Sequence, residues 1–292
     1  MKITQRVIAW SSLVALLSLS ATEVSSQAVK LEPLSGDNSR ADLGNYDFDI
    51  NPDHTKAVTG PFKFPRDADD AVYGIDVSHN NGVVDWSPMT PKNGVQFVFI
   101  KATQGNRFED PQFEANWRNS KKSKGLRRGA YHFLSAGVPG TEQAAAYIQA
   151  LKNVGRLQKE DLRPVVDVEW DCAKKCAPGQ DRWDGYTTDQ IVKIITDWVT
   201  SVKSATGKDP IIYTSAAWWN SHLHPDSIQT VPVWIANYSA ASIKHGPPSI
   251  GTHFYAAWQF TDHSTVGDGM AKFDANILIG ASMHLLSSDS TK

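Results

Sequence analysis

The chain has 292 residues, of which 41% are hydrophobic and 21% are charged, and its formal net charge at pH 7 is −2. A balance this close to zero excludes the strongly basic surface on which nucleic-acid binding or attraction to an anionic membrane would depend. Beyond residue 28, no segment approaches the roughly 18 consecutive apolar residues of a membrane-spanning helix, so we expect no membrane contact by the mature chain.

The first 28 residues have the pattern of an export signal. Lys2 and Arg6 precede an apolar core at residues 7–19, and the small residues Ser26 and Ala28 favour cleavage after Ala28. Cleavage after Ser20 is the second choice, and an uncleaved anchor is the alternative, although the apolar core is short for a span. The sequence therefore predicts a secreted or periplasmic protein.

Residues 29–70 differ from the rest of the chain in composition. They hold nine acidic and five basic residues, many Asp, Asn, Gly and Pro, and few periodic apolar positions. Such a segment cannot bury enough apolar surface to order itself, so it is predicted to be an acidic, disordered leader. Residues 71–292 are then predicted to form one domain.

Strand and helix patterns alternate through this domain. Short apolar runs predict eight strands, at residues 72–77, 96–102, 128–133, 164–169, 210–214, 231–236, 255–260 and 272–277. Helical periodicity predicts helices at residues 110–124, 141–154 and 191–205. Alternation favours a parallel α/β sheet, and eight strands in this length favour a closed barrel. The last strands leave little room for helices between them, so the barrel should be irregular. No Gly-x-Gly-x-x-Gly follows the first strand, so a dinucleotide-binding fold lacks its sequence fingerprint.

The helix at residues 191–205 has the clearest boundaries. Thr187 and Gln190 are spaced as a capping box before it, and Gly207 suits its C-terminal end. Its apolar stripe includes Trp198, which is predicted to lie in the core rather than on a binding face.

Two acidic residues interrupt the apolar run that starts at Pro164. Asp167 and Glu169 are two apart, so on a strand they point to the same face. Burying two like charges without a partner costs several kcal/mol or shifts their pKa values. Paired carboxylates at the carboxyl end of a barrel strand are what acid-catalysed cleavage of a glycosidic bond requires.

Polar residues also lie near the ends of other predicted strands. Asp76, Lys101 and Asp274 each have an ordinary explanation as a turn cap, a counter-charge or a loop acid. His132 is expected to be a hydrogen-bonded core histidine. Their recurrence at strand ends favours a shared functional site, because the active sites of such barrels lie at that rim.

The only cysteines, Cys172 and Cys176, follow the acidic strand directly. In an exported protein they are predicted to form a small disulfide. A zinc site is the weaker alternative, since no second cysteine pair or nearby histidine completes a tetrahedral set. We expect neither a metal nor a cofactor.

Several motifs occur in the order seen in glycoside hydrolase family 25, the Chalaropsis-type lysozymes or N-acetylmuramidases. They are Tyr-Gly-Ile-Asp-Val-Ser at residues 73–78, Phe-Val-Phe-Ile-Lys-Ala-Thr-Gln-Gly at 97–105, Gly-Ala-Tyr-His-Phe at 129–133 and Val-Asp-Val-Glu at 166–169. The resemblance is strong in the first half of the domain. Later it depends on Ala-Trp-Gln-Phe-Thr at 257–261 and on Asp274.

The resemblance implies a flattened barrel of eight strands and about five helices that hydrolyses the β-1,4 bond between N-acetylmuramic acid and N-acetylglucosamine in peptidoglycan. It implies that Glu169 is the general acid/base and that Asp76, Asp167 and Asp274 complete an acidic cluster. The second step is either attack by a carboxylate nucleophile or attack by the substrate's own 2-acetamido group oriented by Asp167, and the Asp-x-Glu pattern favours the latter.

Aromatic residues are the remaining candidates for contact with sugar. The resemblance implies that Tyr131 and Trp258 line the groove, and Gln259, Lys101 and Tyr238 are predicted to contact substrate. Trp170, Trp218 or Trp219, and Trp234 are further candidates for stacking, of which about half should lie in the core instead.

Two other functions fit the same residues. One is a chitinase-like hydrolase of N-acetylglucosamine polymers, and the other is a non-catalytic wall-binding protein. The partner expected from the first interpretation is the glycan strand of peptidoglycan, bound by a monomer.

Overall fold

The computed structural model describes residues 62–63, 72–173, 176, 179–238, 250–267, 272–278 and 286. The predicted signal peptide at residues 1–28 lies outside the described residues, as does nearly all of the predicted leader at residues 29–70. The exception is Phe62–Lys63, whose backbone forms a short strand parallel to Ser264 and Thr265.

The described residues form ten strands and four α-helices. The strands are β1 (Phe62–Lys63), β2 (Tyr73–Val77), β3 (Phe97–Gln104), β4 (Phe108–Glu109), β5 (Arg127–Phe133), β6 (Val165–Asp167), β7 (Ile211–Ser215), β8 (Val233–Ala236), β9 (Tyr255–Thr265) and β10 (Phe273–Leu278). The helices are α1 (Phe113–Ser120), α2 (Gly140–Asn153), α3 (Thr188–Thr206) and α4 (Ala216–His222). All eight predicted strands are present.

Eight of the strands close into a barrel in the order β9-β10-β2-β3-β5-β6-β7-β8, and β8 pairs with β9 to complete the ring. The pairs from β2 through β9 are parallel, whereas β10 runs antiparallel to both β9 and β2. Strand β9 ends at Thr265 and β10 begins at Phe273, so the connection is too short for the crossover that a parallel pair needs, which explains the one departure from the predicted parallel sheet. The predicted α/β, irregular TIM-like barrel is confirmed.

Helix α3 shows why the sequence signals at its ends were accurate. Thr187 accepts a hydrogen bond from the backbone N–H of Gln190, and the Gln190 side chain accepts one from the N–H of Thr187. Gly207 adopts a left-handed conformation with φ of 70° and ends the helix. Trp198 is fully buried, as predicted.

The interior of the barrel is filled by a small cluster of side chains from the inner faces of the strands, including Phe97, Phe99, Tyr213 and Trp234. A larger cluster lies between the outer faces of the strands and the helices. Gly74 lies beside the ring of Phe97, where a Cβ would come within 2.4 Å of a ring carbon. The inner rings therefore require a glycine at this position of the neighbouring strand.

Cys172 and Cys176 form the predicted disulfide, with their Cα atoms 5.4 Å apart. The alternative of a zinc site at these cysteines is therefore wrong. Among the described residues, no helix combines the length and the apolar composition needed to cross a bilayer.

Candidate active site

The acidic pair lies where β6 leaves the barrel. Asp167 is the last residue of β6, and Glu169 follows two residues later, with 6% and 4% of their surfaces exposed. The backbone between them is fixed from both sides, because Leu134 N donates to Asp167 O over 2.9 Å and Val168 N donates to Tyr213 O over 2.8 Å. The strand therefore presents two buried carboxyl groups at its carboxyl end.

The other two predicted acids come from neighbouring strands of opposite direction. Asp76 lies near the carboxyl end of β2, and Asp274 lies near the beginning of β10. Since β10 runs antiparallel to β2, its beginning meets the same rim, and Asp274 is the direct partner of Asp76 in the register. Reversal of the last strand therefore brings Asp274 to the acidic rim.

Electrostatic coupling shows that the four acids form one cluster. Burial raises the pKa of Glu169 well above its ordinary value, and the charges of Asp167, Asp274 and Asp76 raise it further. Burial likewise raises the pKa of Asp167, and Asp76 adds to that effect. Carboxyl groups that raise each other's pKa titrate as a pair, so the rim retains a proton at pH values where an isolated carboxyl would lose it.

A buried cation moderates this repulsion. Lys101 is 1% exposed and lies on the same inner face as Phe99, two residues earlier in β3. Its Nζ donates to Gln104 Oε1 over 3.0 Å. The positive charge lowers the pKa of both Asp167 and Glu169, in opposition to burial. Lys101 therefore partly neutralises the acidic cluster.

Asp76 is held by two side-chain amides. Gln259 Nε2 and Asn276 Nδ2 both donate to Asp76 Oδ2, each over 2.8 Å. Both amides are themselves buried. Two N–H donors on one oxygen suit an ionised carboxylate, which accepts hydrogen bonds and donates none.

The orientation of both amides is set by a second group of donors. Tyr213 and Tyr238 hydroxyls donate to Gln259 Oε1, over 2.7 and 2.6 Å. Trp234 Nε1 donates to Asn276 Oδ1 over 2.8 Å. Because these donors occupy the amide oxygens, the amide nitrogens must face Asp76. Asp76 thus has one fixed position at the rim.

Some carboxylate oxygens are left open by this network. Asp167 Oδ1 and Glu169 Oε2 are buried and accept no hydrogen bond from the part of the chain that the structure describes. Buried polar atoms are nearly always paired, so such atoms need an explanation. These two oxygens would be explained if they accept hydrogen bonds from a bound substrate.

The predicted aromatic contacts are only partly placed at this rim. Tyr131 and Tyr238 are half-buried, and the pKa of each is raised by burial and by the charges of the rim acids. Trp258 is 2% exposed and donates its Nε1 to Asn237 O. It packs on Phe260 in the outer cluster, because consecutive residues of a strand face opposite sides and Gln259 is the inward one.

The other tryptophans proposed for stacking are also core residues. Trp218, Trp219 and Trp234 are buried, as is Trp170. Trp218 and Trp219 belong to α4, which the sequence did not predict, and Trp234 packs inside the barrel on Phe99 at 4.8 Å between ring centroids. About half of the stacking candidates were expected to lie in the core, whereas all four of these rings are buried and present almost no surface to a sugar.

Asn276 and Tyr213 were not among the predicted site residues, and Trp234 was predicted as a stacking candidate rather than as the donor to Asn276 that the structure shows. Asn276 lies 200 residues from Asp76 along the chain, and no local pattern joins them. One signal was available, since Asn276 is two residues after Asp274 and so shares its face of the strand.

Comparison with known proteins identifies the family of this barrel. The family model of glycosyl hydrolases family 25 matches residues 75–269. The chain belongs to this family. It is therefore a glycoside hydrolase, and the carboxyl groups at its rim are of the kind that this chemistry uses.

Individual relatives agree with this membership. A protein of Escherichia coli K12 named YegX is 33% identical over 216 residues, covering 72% of this chain and 70% of its own. Lysozyme M1 of Streptomyces globisporus is 31% identical over 219 residues, covering 74% and 70%. The crystal structure of a bacterial lysozyme from Streptomyces coelicolor matches with a TM-score of 0.63 and 30% identity, covering 74% of this chain and 96% of that one.

Proposed function

We propose that the protein is an exported lysozyme, a 1,4-β-N-acetylmuramidase that hydrolyses the bond between N-acetylmuramic acid and N-acetylglucosamine in peptidoglycan. The observation that carries this proposal is the convergence of four carboxyl groups around Glu169, whose raised pKa suits a proton donor. Membership of the family and similarity to Lysozyme M1 support the choice of substrate.

Glu169 is the general acid in this proposal. A sugar oxygen leaves poorly unless it is protonated, and a positioned acid accelerates the step by about 10²–10⁴-fold. Burial and the neighbouring acids raise the pKa of Glu169, so it keeps its proton to higher pH than an isolated carboxyl would, and its open oxygen is available to the glycosidic oxygen of a bound substrate. Glu169 then acts as general base when water completes the hydrolysis.

Asp76, Asp167 and Asp274 supply negative charge to the oxocarbenium-like transition state. Asp76 is fixed by its two amide donors, so it stabilises positive charge without moving. Asp167 has an open oxygen beside Glu169 and orients the substrate's 2-acetamido group for internal attack. A carboxylate nucleophile is the alternative for this step, and it requires about 5 Å between the two reacting carboxyl groups.

Five predicted positions around the acids have supporting roles in this proposal. Tyr131 and Tyr238 are half-buried at the rim and contact the sugar directly. Lys101 and Gln259 are almost fully buried, so they act on the acids rather than on the sugar. Trp258 supports the groove from the outer face of β9.

Peptidoglycan strands are the proposed partner, and the enzyme acts as a secreted or periplasmic monomer without nucleic acid, cofactor or membrane. The disulfide supports an oxidising compartment.

Mass spectrometry of the products from purified cell walls tests the proposal. A muramidase releases fragments that end in reducing N-acetylmuramic acid, and chitin oligomers digested in parallel should remain intact. Cleavage of chitin alone would favour the chitinase-like alternative. Sedimentation of the protein with walls that release no reducing ends would favour the wall-binding one.

A further inference from the structure

A second group of ionisable residues lies where the segment that follows Glu169 meets the end of α4. Asp181 and Asp184 lie at the short 3₁₀ helix Arg182–Gly185, and His222 is the last residue of α4. His222 Nε2 is 3.4 Å from Asp181 Oδ2 and 3.4 Å from Asp184 Oδ1. One atom from each residue lies within 4.8 Å of the other two. Three side chains from two elements thus converge on one point.

The hydrogen bonds of His222 determine which ring nitrogen carries its proton. Nδ1 is 3.0 Å from the carbonyl oxygen of Trp218 and 2.8 Å from Ser221 Oγ. A carbonyl only accepts, and the Ser221 hydroxyl donates its own hydrogen to the same carbonyl. Nδ1 must therefore be the donor. In the neutral ring, Nε2 then presents a lone pair to the two carboxylates.

The side chain of Asp181 gives independent support for a cation-binding site. Its side chain is well over nine-tenths buried, and its Oδ2 accepts no hydrogen bond from the described residues. The 3.4 Å to His222 is longer than an ordinary N–H···O hydrogen bond. Two carboxylates that converge on one point require a positive charge, which either a proton on His222 Nε2 or a bound cation can supply. Both separations are longer than an ordinary N–H···O hydrogen bond, which favours the bound cation.

The spacing fits one class of cation. Ligand atoms at about 2.05 Å in a tetrahedral zinc site are about 3.4 Å apart, which equals both separations from His222. Imidazole with carboxylates suits zinc and similar first-row metals, whereas calcium and magnesium prefer oxygen ligands throughout. We propose that Asp181, Asp184 and His222 bind one divalent transition-metal ion, with zinc as the best fit. Asp184 is half-exposed, so water can occupy the fourth position.

Such an ion would act on the segment that carries the proposed general acid. The other oxygen of Asp181, Oδ1, accepts hydrogen bonds from Asp171 N over 3.0 Å and from Trp183 N over 3.1 Å. Trp183 Nε1 in turn donates to the carbonyl of Glu169 over 3.0 Å. The metal would therefore link α4 to the loop after β6. The sequence predicted no metal, because these ligands are separated by up to 41 positions (from 181 to 222) and match no zinc motif.

Zinc binding by the untagged, chelator-treated full chain tests the proposal. Native mass spectrometry should show one Zn²⁺ per chain, and calorimetry should show binding weakened by at least about tenfold in Asp184→Asn and His222→Gln. Asp189→Asn is the matched control, since this exposed acid begins α3 outside the cluster, and its affinity should equal that of the wild type.

Two results would overturn the proposal. One is a folded wild-type chain that takes up no Zn²⁺ at micromolar concentration. The other is Zn²⁺ retained by Asp184→Asn but lost by Glu169→Gln, which would locate the ion at the acidic rim. Asp184 is exposed enough that its variant should fold, which circular dichroism would check, so the test remains decisive even if His222→Gln does not fold.

Discussion

Two buried polar clusters lie on opposite faces of the same barrel wall, and only one of them has open atoms. The rim cluster consists of Asp76, Asp167, Glu169 and Asp274. The histidine cluster, as we name Thr103, His132 and Gln143, lies on the outer face beneath α2 and α3, where His132 stacks on Trp198. Both clusters bury several polar groups, but they differ in whether those groups have hydrogen-bond partners.

Each hydrogen-bonding atom of the histidine cluster has a defined partner. Gln143 Nε2 donates to two backbone carbonyls, so its Oε1 must be the acceptor that faces His132 Nε2, 3.2 Å away. The His132 proton is therefore on Nε2, and Nδ1 accepts from the Thr103 hydroxyl over 2.7 Å. Burial lowers the pKa of His132 to about 3, and the ring stays neutral. This network fixes packing and has no group available for chemistry.

Comparison of the two clusters shows which property distinguishes a functional group of buried polar residues from a structural one. Burial and shifted pKa values occur in both clusters, so neither property identifies a site by itself. Open acceptor atoms distinguish the rim, where Glu169 Oε2 and Asp167 Oδ1 lack partners among the described residues. Mutations should therefore affect catalysis at the rim and stability at the histidine cluster.

The largest expected effect is that of Glu169→Gln. The amide has no transferable acidic proton, so turnover of peptidoglycan should fall by at least about 100-fold. The pKa of Glu169 in the folded chain is raised above the ordinary value that it has in the unfolded chain, so this carboxyl lowers the stability of the fold as the pH rises past that ordinary value. The variant should therefore be at least as stable as the wild type at pH 7. Reducing-end release and thermal melting measure the two effects.

Glu142→Gln is the matched control for this change. Glu142 is exposed on α2 and accepts a hydrogen bond only from Asn106 among the described residues, so both activity and melting should stay at wild-type values. Turnover by Glu169→Gln within about tenfold of the wild type would remove Glu169 from the role of general acid.

Gln143→Leu should show the reverse pattern. Leucine leaves Ser135 N, His132 Nε2 and two carbonyls without their partners, which should lower the free energy of unfolding by about 3 kcal/mol. The rate constant of the folded enzyme should change by less than about twofold, because the cluster lies on the outer face of the wall. Denaturant unfolding and turnover at a temperature below melting measure both.

The control for this variant is Gln149→Leu, on the exposed side of the same helix, where the side chain contacts Asn153. Its stability should change by less than about 0.5 kcal/mol. A large loss of turnover in folded Gln143→Leu would show that the histidine cluster takes part in catalysis, and the distinction between the two clusters would fail.

The bounds of the strands that carry both clusters were predictable from the sequence to within a few residues. These strands are short β-branched runs, and alternation within them shows which residues share a face. Asp167 and Glu169 could be paired because their relationship is local. Helix α4 was missed because seven residues give too short a period, and its two tryptophans were interpreted as sugar contacts.

Contacts between distant positions were not predictable in this way. The donors to Asp76 come from β9 and β10, and the amides are oriented by Trp234 on β8 and by the tyrosines. Such contacts depend on the register of strands that close the barrel, which no single segment encodes. The reversal of β10 was likewise set by the short connection between Thr265 and Phe273 rather than by any residue within the strand.

Lys101→Gln is expected to move the pH dependence of the rim. Removing this positive charge raises the pKa of Glu169 further, so its protonated form persists to higher pH and the alkaline limb of kcat/KM shifts upward. Asp274→Asn removes a negative charge and should shift the same limb downward. A pH profile of residual activity measures both shifts.

The control is Lys121→Gln, a change at an exposed lysine after α1, which should leave the pH profile unchanged. Shifts in the same direction for Lys101 and Asp274 would contradict the electrostatic account of the rim.

The smallest effect is expected for the disulfide, which begins three residues after Glu169. Its loop spans a sequence separation of four, so removing it in Cys172→Ser/Cys176→Ser should lower stability by only about 2 kcal/mol. The segment after Glu169 is already held by Trp183 Nε1 on the Glu169 carbonyl and by Asp181 on Asp171 N. Turnover should therefore stay within about twofold of the wild type while the melting temperature falls. A loss of turnover as large as that of Glu169→Gln, in a folded variant, would show that the covalent link and not the hydrogen bonds positions the acid.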